Sequence, residues 1–375
     1  MATYTPRERV RAALRHTEPD RVPVDLGGTY ASGIILGAYE RLCRHLGIAG
    51  EARGLAGRSA TAAIDEAVLV RLGVDTRRVT VHTPDNWTFP NPDGTQTDGW
   101  GVVWGRPPGG HFYVARSPLA GEPTLADVER LPIPDPEDPR ITEGLVEEAR
   151  RLRAGSDYAV CLNLPSRLVH QLQFLRGYAE ALMDLVADQT LIEALMERVM
   201  DFNVRLADRV LRLVGDQVDV VCFGDDLGTQ KGPFLRPELY RALIKPRQRR
   251  LTEVARRHTD AIFYYHSCGS VAAFIPDLID LGVQALNPIQ VSAAGMEPER
   301  LKREYGKHLA FWGAIDTHRV LPLGTPADVA AEVRRRFREL GPGGGWICAA
   351  VHNIQPEVPP ENIVALFDAA RECGY

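Results

Sequence analysis

Beyond residue 140 the chain alternates between short apolar runs and longer stretches with helical spacing. The apolar runs span 158–164, 218–224, 261–266, 285–288, 309–315 and 345–351. Several of them are apolar at nearly every position, which is typical of parallel strands that are covered on both faces. The stretches with helical spacing predict helices at 142–153, 166–175, 178–186, 190–214, 237–258, 270–280, 297–304, 326–340 and 360–372. Strands that alternate with helices indicate an α/β fold with a parallel sheet.

The first 84 residues add two more extended runs, Val22–Gly28 and Val79–His82. Helical spacing recurs over 5–16, 34–48 and 61–72. The total is eight strands, and eight parallel strands close a (β/α)8 barrel. An open doubly wound sheet is the alternative, but no strand is followed by a GxGxxG or P-loop sequence. We therefore predict a TIM barrel with N-terminal helices, formed as a single domain over residues 1–375.

Residues 85–140 interrupt this alternation with clustered Pro, Gly and Asp residues. Alternating apolar positions in GWGVVWG and HFYVAR predict a β-hairpin over 99–116. The segment is too short for a core of its own, so we expect an insertion over one end of the barrel. Its aromatic residues suit either a lid over an apolar substrate or packing on the barrel rim.

Composition excludes several classes of protein. A net charge of −5 gives no reason to expect a nucleic-acid partner. No apolar run approaches the roughly 18 residues of a membrane helix, and the N-terminus has no apolar signal-peptide core. We therefore expect a cytoplasmic protein that does not bind membranes. The six cysteines have no regular spacing, which favours buried thiols or metal ligands over disulfides.

The sequence YHSCG at 265–269 has the spacing of a metal-ligand pair. His266 and Cys268 are separated by one residue, so in extended backbone both side chains point to the same side. Imidazole and thiolate are preferred zinc ligands, and a catalytic zinc has three protein ligands and one open position. His352, after the last strand, is the best third ligand, and Asp226 is a carboxylate alternative. A buried cysteine beside a hydrogen-bonded histidine fits the spacing equally well.

Two adjacent carboxylates, Asp225 and Asp226, follow the strand at 218–224. Neighbouring carboxylates repel each other unless a metal, a proton or a cationic partner uses them. Their side chains point to opposite sides if the strand continues, so we expect one of them to reach the cavity. The structural alternative is that one aspartate caps the next helix while the other faces solvent. His170, in an amphipathic run, is interpreted as a surface residue or as support for a site residue.

Several segments of the chain resemble the uroporphyrinogen decarboxylase superfamily. They are TPRERVRAALRHTEPDRVPV at 5–24, GDDLGTQKGPFLRPELY at 224–240, YHSCGSV at 265–271, FWGAIDT at 311–317 and HNIQPEVPPENI at 352–363. Within that superfamily the sequence is similar to the cobalamin-dependent branch, such as methylcobalamin:coenzyme M methyltransferases. The resemblance implies a single barrel with its site at the C-terminal mouth.

In the methyltransferase branch an HxC pair and a late cysteine bind zinc. His266 and Cys268 match the pair, and His352 takes the place of the late cysteine. True porphyrinogen decarboxylases have a histidine at this position and need no metal. Their RQAGRY-type stretch, which holds the tetrapyrrole carboxylates, is missing here and is replaced by Val24–Tyr30. Carboxylates at the strand ends, Asp225 and Asp226 among them, also disfavour a polycarboxylate substrate because like charges repel.

The leading hypothesis is therefore zinc-dependent methyl transfer between a small methylated substrate and a corrinoid protein. The cobalamin must come from a separate protein because the chain has no DxHxxG-type sequence. The predicted zinc ligands are His266, Cys268 and His352. The predicted catalytic pair is Asp226, as fourth ligand or general acid/base, and Asp225, which orients it. The predicted substrate-binding residues are Tyr30, His82, Asn163, Gln290 and Asp316.

Two other hypotheses remain open at this point. One is a metal-independent decarboxylase or related lyase that uses Asp226 and His352 as proton donors. The other is a barrel that binds a small molecule without catalysis. The sequence identifies neither the methyl donor nor the acceptor, and it leaves the oligomeric state open, a homodimer included.

Overall fold

A curled sheet of parallel strands lies at the centre of the protein. The computed structural model describes residues 4–49, 52–55, 60–107 and 110–375. Its central strands are β1 (Thr76–Thr80), β2 (Ala159–Asn163), β3 (Val220–Gly224), β4 (Ile262–His266), β5 (Ala285–Asn287), β6 (Ala310–Ile315) and β7 (Trp346–Ala350). They pair in chain order and are all parallel. β2 to β7 are buried at every residue, as expected for strands covered on both faces.

Helices surround this sheet. The α-helices span Pro6–Leu14, Leu36–Leu46, Glu66–Leu72, Leu125–Arg130, Leu145–Gly155, Val169–Arg176, Tyr178–Ala187, Gln189–Val214, Pro237–Leu239, Lys245–Arg256, Ile275–Asp280, Pro298–Tyr305, Val320–Leu323, Pro326–Leu340 and Pro360–Glu372. The first helix buries Val10 and Leu14 in the cluster that holds Ala159 and Val220, the first residues of β2 and β3. It therefore closes the N-terminal end of the barrel and leaves the C-terminal mouth for a site. No helix in the described part of the chain could span a membrane.

The barrel prediction is confirmed, but the first predicted strand is reduced to a short extended segment. Val24 forms an isolated parallel bridge with Cys348 of β7, and its carbonyl accepts the Asp75 amide at 3.0 Å. The segment thus joins both edges of the sheet. It forms no regular strand because Pro23 lacks an N–H and because Gly27, with φ +77°, turns the chain away. The ranges described above therefore contain seven regular barrel strands rather than eight.

Several other boundaries differ from the predicted ones. The strand predicted at 79–82 spans Thr76–Thr80. Its first three residues are polar, so the apolar pattern did not include them. The helix predicted over 61–72 begins at Glu66 and follows a two-residue strand, Ala62–Ala63. The helix predicted over 237–258 contains a π-helical turn at Tyr240–Ile244. Pro246, which cannot donate an i→i−4 hydrogen bond, lies two residues after the end of that turn.

Residues 85–140 contain an antiparallel sheet that includes the predicted hairpin. Its strands span Phe89–Pro90, Gln96–Thr97, Val103–Gly105 and Tyr113–Arg116. Trp100 packs on Phe202 with ring centroids 4.8 Å apart, and Trp104 packs on Phe174 at 5.1 Å. Both tryptophans are less than a tenth exposed. These two side chains therefore pack against helices. This agrees with the alternative in which the aromatic residues of the segment pack on the barrel rim.

Candidate metal centre

Three predicted ligands converge at the C-terminal ends of β4 and β7. One ligand atom from each of His266, Cys268 and His352 lies within 4.8 Å of the others. The Sγ atom of Cys268 is 3.5 Å from Nε2 of His266, and the two imidazole rings are 5.6 Å apart. His266 ends β4, while His352 lies two residues beyond β7. Two imidazoles and one thiolate form a three-ligand set that suits a catalytic zinc with an open position.

A buried amide determines which nitrogen of His266 faces this centre. Oδ1 of Asn287 lies 2.7 Å from Nδ1 of His266, while Nδ2 of Asn287 donates to the Trp312 carbonyl at 3.2 Å. Because the amide oxygen accepts hydrogen bonds, the network places the imidazole proton on Nδ1. Nε2, the nitrogen near Cys268, then keeps its lone pair. Metal-binding histidines are commonly oriented in this way.

The charge state of the three groups also fits a metal ion. Burial lowers the pKa of His266, and it lowers that of His352 to about 4, so both rings are neutral at pH 7. Neutral imidazole is the form that binds a metal. Burial raises the pKa of the Cys268 thiol, and the charge of Asp226 raises it further. A nearby cation would offset both effects and stabilise the thiolate.

These shifts predict how the stability of the metal-free protein depends on pH. The folded-state pKa of His352, about 4, lies below the unfolded value near 6.5, so folding favours the neutral ring. This contribution is fully present above pH 6.5 and is lost as the pH falls towards 4, by about 2–3 kcal/mol. The raised pKa of His170 acts in the opposite direction. Urea unfolding with a chelator at pH 7, 6 and 5 should therefore show a smaller loss for His352→Gln than for wild type; equal losses contradict the assignment.

Asp226 faces the three ligands. Its Oδ1 accepts a hydrogen bond from the Cys268 amide at 2.8 Å and lies 3.6 Å from Nε2 of His266. Its Oδ2 is 3.7 Å from Nε2 of His170, and the side chain is one quarter exposed. This is the carboxylate of the adjacent pair that reaches the centre. One of its oxygens is held, and the other faces the imidazole of His170.

Asp225 instead holds the start of the helix Val169–Arg176. Its carboxylate accepts the amides of Leu168 at 2.7 Å and His170 at 3.0 Å, and also the amide of Val169. Its Oδ1 lies 3.0 Å from Nδ1 of His170. Asp225 therefore caps a helix, as the structural alternative expects of one aspartate, but that helix lies earlier in the chain than β3 rather than after it. Its orienting effect on Asp226 stays a prediction, with His170 as the contact between the two carboxylates.

Removing this cap should destabilise the fold. Asp225→Ala leaves three helix N-terminal amides and one imidazole without their buried acceptor, so we expect a loss of about 2–4 kcal/mol. The matched control is Asp188→Ala, because Asp188 caps the helix Gln189–Val214 with one bond, from Leu191 at 3.2 Å. That variant should lose about 1 kcal/mol. Urea unfolding of both variants measures the difference, and equal losses contradict the special role of Asp225.

His170 is the site residue that the sequence analysis undervalued. Burial alone would lower its pKa, but the hydrogen bond and charge of Asp225, together with the charge of Asp226, raise it. The side chain is 30% exposed and lies between the two carboxylates. The available signal was its place just after the loop that follows β2, since such loops line the mouth of a barrel.

Tyr30 is held by Asn163, the last residue of β2. The Tyr30 ring meets the His266 ring edge-to-face at 5.3 Å. Oδ1 of Asn163 accepts the Tyr30 amide at 2.7 Å, and Nδ2 of Asn163 donates to the Gly28 carbonyl at 3.0 Å. Tyr30 therefore borders the centre, while Asn163 positions the backbone that carries it. Substrate binding by either side chain stays a prediction.

Gln290 fixes the turn that follows Cys268. Its Oε1 accepts the Gly269 amide at 2.7 Å. Gly269 has a φ of +85°, and a Cβ there would lie 2.4 Å from the backbone of Gly228, so the turn requires glycine. Gln290 thus positions Cys268, a candidate ligand, through the backbone of this turn. Its predicted contact with substrate stays a prediction.

The last two predicted substrate-binding residues, Asp316 and His82, have contacts outside the group of three candidate ligands. Asp316 accepts the amides of His318 at 2.7 Å and Arg319 at 3.3 Å. His82 is exposed just beyond β1, and its amide donates to the Ile141 carbonyl. Neither side chain has a described contact with the three ligands. Their roles likewise stay predictions.

A cavity of about 450 Å³ reaches the centre at His352. It is lined by Thr317, His318, His352, Asn353, Gln355 and Glu357. This lining is polar, and its volume suits a small molecule. The centre can therefore be approached from this side.

Comparisons with known proteins agree with this architecture. Residues 113–373 match the uroporphyrinogen decarboxylase (URO-D) family. Uroporphyrinogen decarboxylase from Methylococcus capsulatus is 24% identical over 264 residues, which cover 68% of this chain and 71% of the relative. The enzyme of that name from Alkalilimnicola ehrlichii is 23% identical over 276 residues, which cover 70% of each.

A solved structure shares the whole fold. A methyltransferase from Methanosarcina mazei superposes with a TM-score of 0.66 at 17% identity, covering 98% of this chain and 99% of that chain. At this identity the likeness concerns the fold. Since the family match spans well over half of the sequence, the chain belongs to the uroporphyrinogen decarboxylase (URO-D) family.

Proposed function

We propose that this protein is a zinc-dependent methyltransferase that moves a methyl group between a small methylated compound and a corrinoid protein. The observation that carries the proposal is the convergence of His266, Cys268 and His352 beside the carboxylate of Asp226. The Methanosarcina protein with the same fold is named a methyltransferase, which supports this choice within the family. The absence of an arginine-rich stretch at Val24–Tyr30 weighs against a tetrapyrrole substrate.

Two imidazoles and one thiol with ligand atoms within 4.8 Å of one another support the choice of zinc. His266, Cys268 and His352 would hold the ion through two neutral nitrogens and one thiolate. When bound, zinc supplies a Lewis acid beside the heteroatom of the substrate. The corrinoid of the partner protein supplies the site that takes or gives the methyl group.

Asp226 is the group best placed to move a proton. Its Oδ1 is held by the Cys268 amide, while Oδ2 faces His170 at a distance longer than a hydrogen bond. Oδ2 is therefore free to hold a proton at the substrate heteroatom from which the methyl group departs, or to take one there. His170, whose pKa is raised, balances the charge of Asp225 and Asp226 when it is protonated.

The walls of the centre favour a small substrate that is neutral or cationic. Tyr30 covers His266 on one side, and the polar cavity with Gln355 opens on the other. Asp226 and Glu357 bring negative charge, which disfavours a polycarboxylate. Methyl ethers and methylamines fit these conditions.

Methyl transfer can be assayed directly. The zinc-loaded protein is mixed with free cob(I)alamin and with a series of methylated amines and methoxylated compounds. The visible spectrum should change from cob(I)alamin to methylcobalamin with at least one of them, and the chelated protein should not catalyse the change. If the loaded protein transfers methyl groups from none of these compounds and also fails to demethylate methylcobalamin, the proposal is wrong.

A decarboxylase is the second candidate, because His352 stands at the late ligand position and the two relatives above are named uroporphyrinogen decarboxylases. In that case Asp226 and His352 would donate protons without a metal. Release of carbon dioxide from uroporphyrinogen by chelated protein would support this candidate over the first. A non-catalytic binding barrel is tested below by replacing Asp226.

A further inference from the structure

Arg78 is a half-buried cation for which the described residues provide no bonded partner. It lies in the middle of β1, and its Nε atom is buried and has no hydrogen-bond partner. Within the described ranges, no hydrogen bond or ion pair reaches its guanidinium group. Its charged or polarisable neighbours include Cys161 and Cys222, which face the interior of the barrel.

The two carboxyl groups that act electrostatically on Arg78, those of Asp25 and Glu148, have other contacts. Asp25 accepts hydrogen bonds from the Gly28 amide at 2.9 Å, from the Trp312 indole at 2.9 Å and from the Thr76 hydroxyl. Glu148 lies near the Thr80 amide, at 3.4 Å. Both carboxyls attract Arg78 electrostatically, but neither is bonded to it.

The preceding residue, Arg77, is an arginine of the same strand whose charge is paired. Arg77 forms a two-pronged ion pair with Glu66, at 2.8 and 2.6 Å, and lies over the Tyr158 ring at 3.4 Å. Arg78 has none of these contacts. An arginine does not lose its proton in a protein, so leaving its buried Nε–H without an acceptor is costly. A counter-ion would remove that cost.

A cavity of about 600 Å³ lies next to Arg78. Thr76, Thr80 and Ser156 contribute hydroxyl groups to its wall, and Gly28 contributes bare backbone. The cavity exists because the chain leaves the sheet at Gly27, so no strand covers the edge of β1 beyond that point. None of the three metal ligands lines it, so this space is separate from the metal centre.

We propose that this cavity is a second small-molecule site, which binds a small monocarboxylate through Arg78. The planar guanidinium matches a carboxylate with two parallel hydrogen bonds. Thr80 also lines the cavity, and its hydroxyl can donate to the same oxygens. Glu148 at the wall disfavours a ligand with further negative charges, and the volume is that of a small-molecule pocket. This site does not depend on the methyltransferase proposal.

Titration calorimetry on the purified protein tests the site. Benzoate and butyrate are the probes, benzamide is the neutral analogue, and inorganic phosphate is the competing anion. At least one carboxylate should bind saturably, and Arg78→Gln should weaken it about 10- to 100-fold. The control Arg130→Gln, whose side chain is 72% exposed and pairs with Asp127, should bind as wild type does. Binding of benzamide as tight as that of benzoate, binding of phosphate alone, or equal binding by Arg78→Gln overturns the assignment.

Thermal unfolding separates this role from a structural one. Arg78 has no partner to lose, so without a probe the Arg78→Gln variant should melt no lower than wild type. Benzoate or butyrate should raise the melting temperature of wild type but not that of the variant. Zinc content should stay the same in both. A variant that melts lower without a probe would show that Arg78 supports the fold, and the proposal would be wrong.

Discussion

Replacing Cys268 with serine is expected to release the metal and abolish methyl transfer. The thiolate is the one charged ligand of the three, and the hydroxyl that replaces it stays protonated, so the zinc affinity should fall by more than about 100-fold. Zinc content after desalting should decrease from one per chain to nearly zero. The fold should persist, because the Cys268 side chain has a contact with His266 but no hydrogen bond that supports the backbone.

Cys43→Ser is the matched control for this experiment. Cys43 is another free thiol, and it is buried in the helix Leu36–Leu46, away from the three ligands. This variant should keep both its zinc and its activity. If Cys268→Ser keeps a full complement of zinc, or if wild type neither carries nor takes up the ion, the metal centre is wrongly assigned.

Replacing Asp226 with asparagine is expected to lower kcat by about 10²–10⁴ while the zinc content stays unchanged. The amide has the same shape, and its oxygen can still accept the Cys268 amide, so the turn should remain in place. The amide cannot accept the proton that the carboxylate moves. The effect should therefore fall on turnover, and the affinity for the substrate should change little.

Asp201→Asn provides the comparison, since Asp201 is exposed on the helix Gln189–Val214. It should leave kcat and affinity as they are. An Asp226→Asn variant that turns over as fast as wild type would exclude proton transfer by this group. If wild type binds methylated compounds but converts none of them, the non-catalytic barrel becomes the better description.

The sequence predicted most of the barrel because its buried strands have a strong pattern. β2 to β7 are apolar at nearly every position, so their number and order could be recognised without tertiary information. The predicted start of β1 was three residues too late because Thr76, Arg77 and Arg78 are polar. Arg77 is satisfied by Glu66, a partner that only the folded chain brings close. The segment after Pro23 was predicted as a strand from its apolar residues. An apolar pattern does not show whether backbone hydrogen bonds form, and only an isolated bridge forms here.

The three candidate ligands could be predicted to lie together because each is at the end of a strand or within two residues of it. The HxC spacing places His266 and Cys268 together, and His352 occupies the corresponding place after β7. The divided roles of Asp225 and Asp226 could not be assigned in the same way. Capping by Asp225 depends on where the helix Val169–Arg176 begins in space, some 55 residues earlier in the chain. The orientation of His266 by Asn287 likewise depends on the contact between β4 and β5.

The barrel has the fewest backbone hydrogen bonds where residues 23–25 join the two edges of the sheet. β1 and β7 are linked through a few hydrogen bonds of Pro23, Val24 and Asp25, whereas β6 and β7 pair along five residues. Local opening costs least where the fewest bonds must break. The same segment continues into Tyr30, which covers His266. A breathing motion at this side would therefore uncover the metal centre and leave the remaining ladder intact.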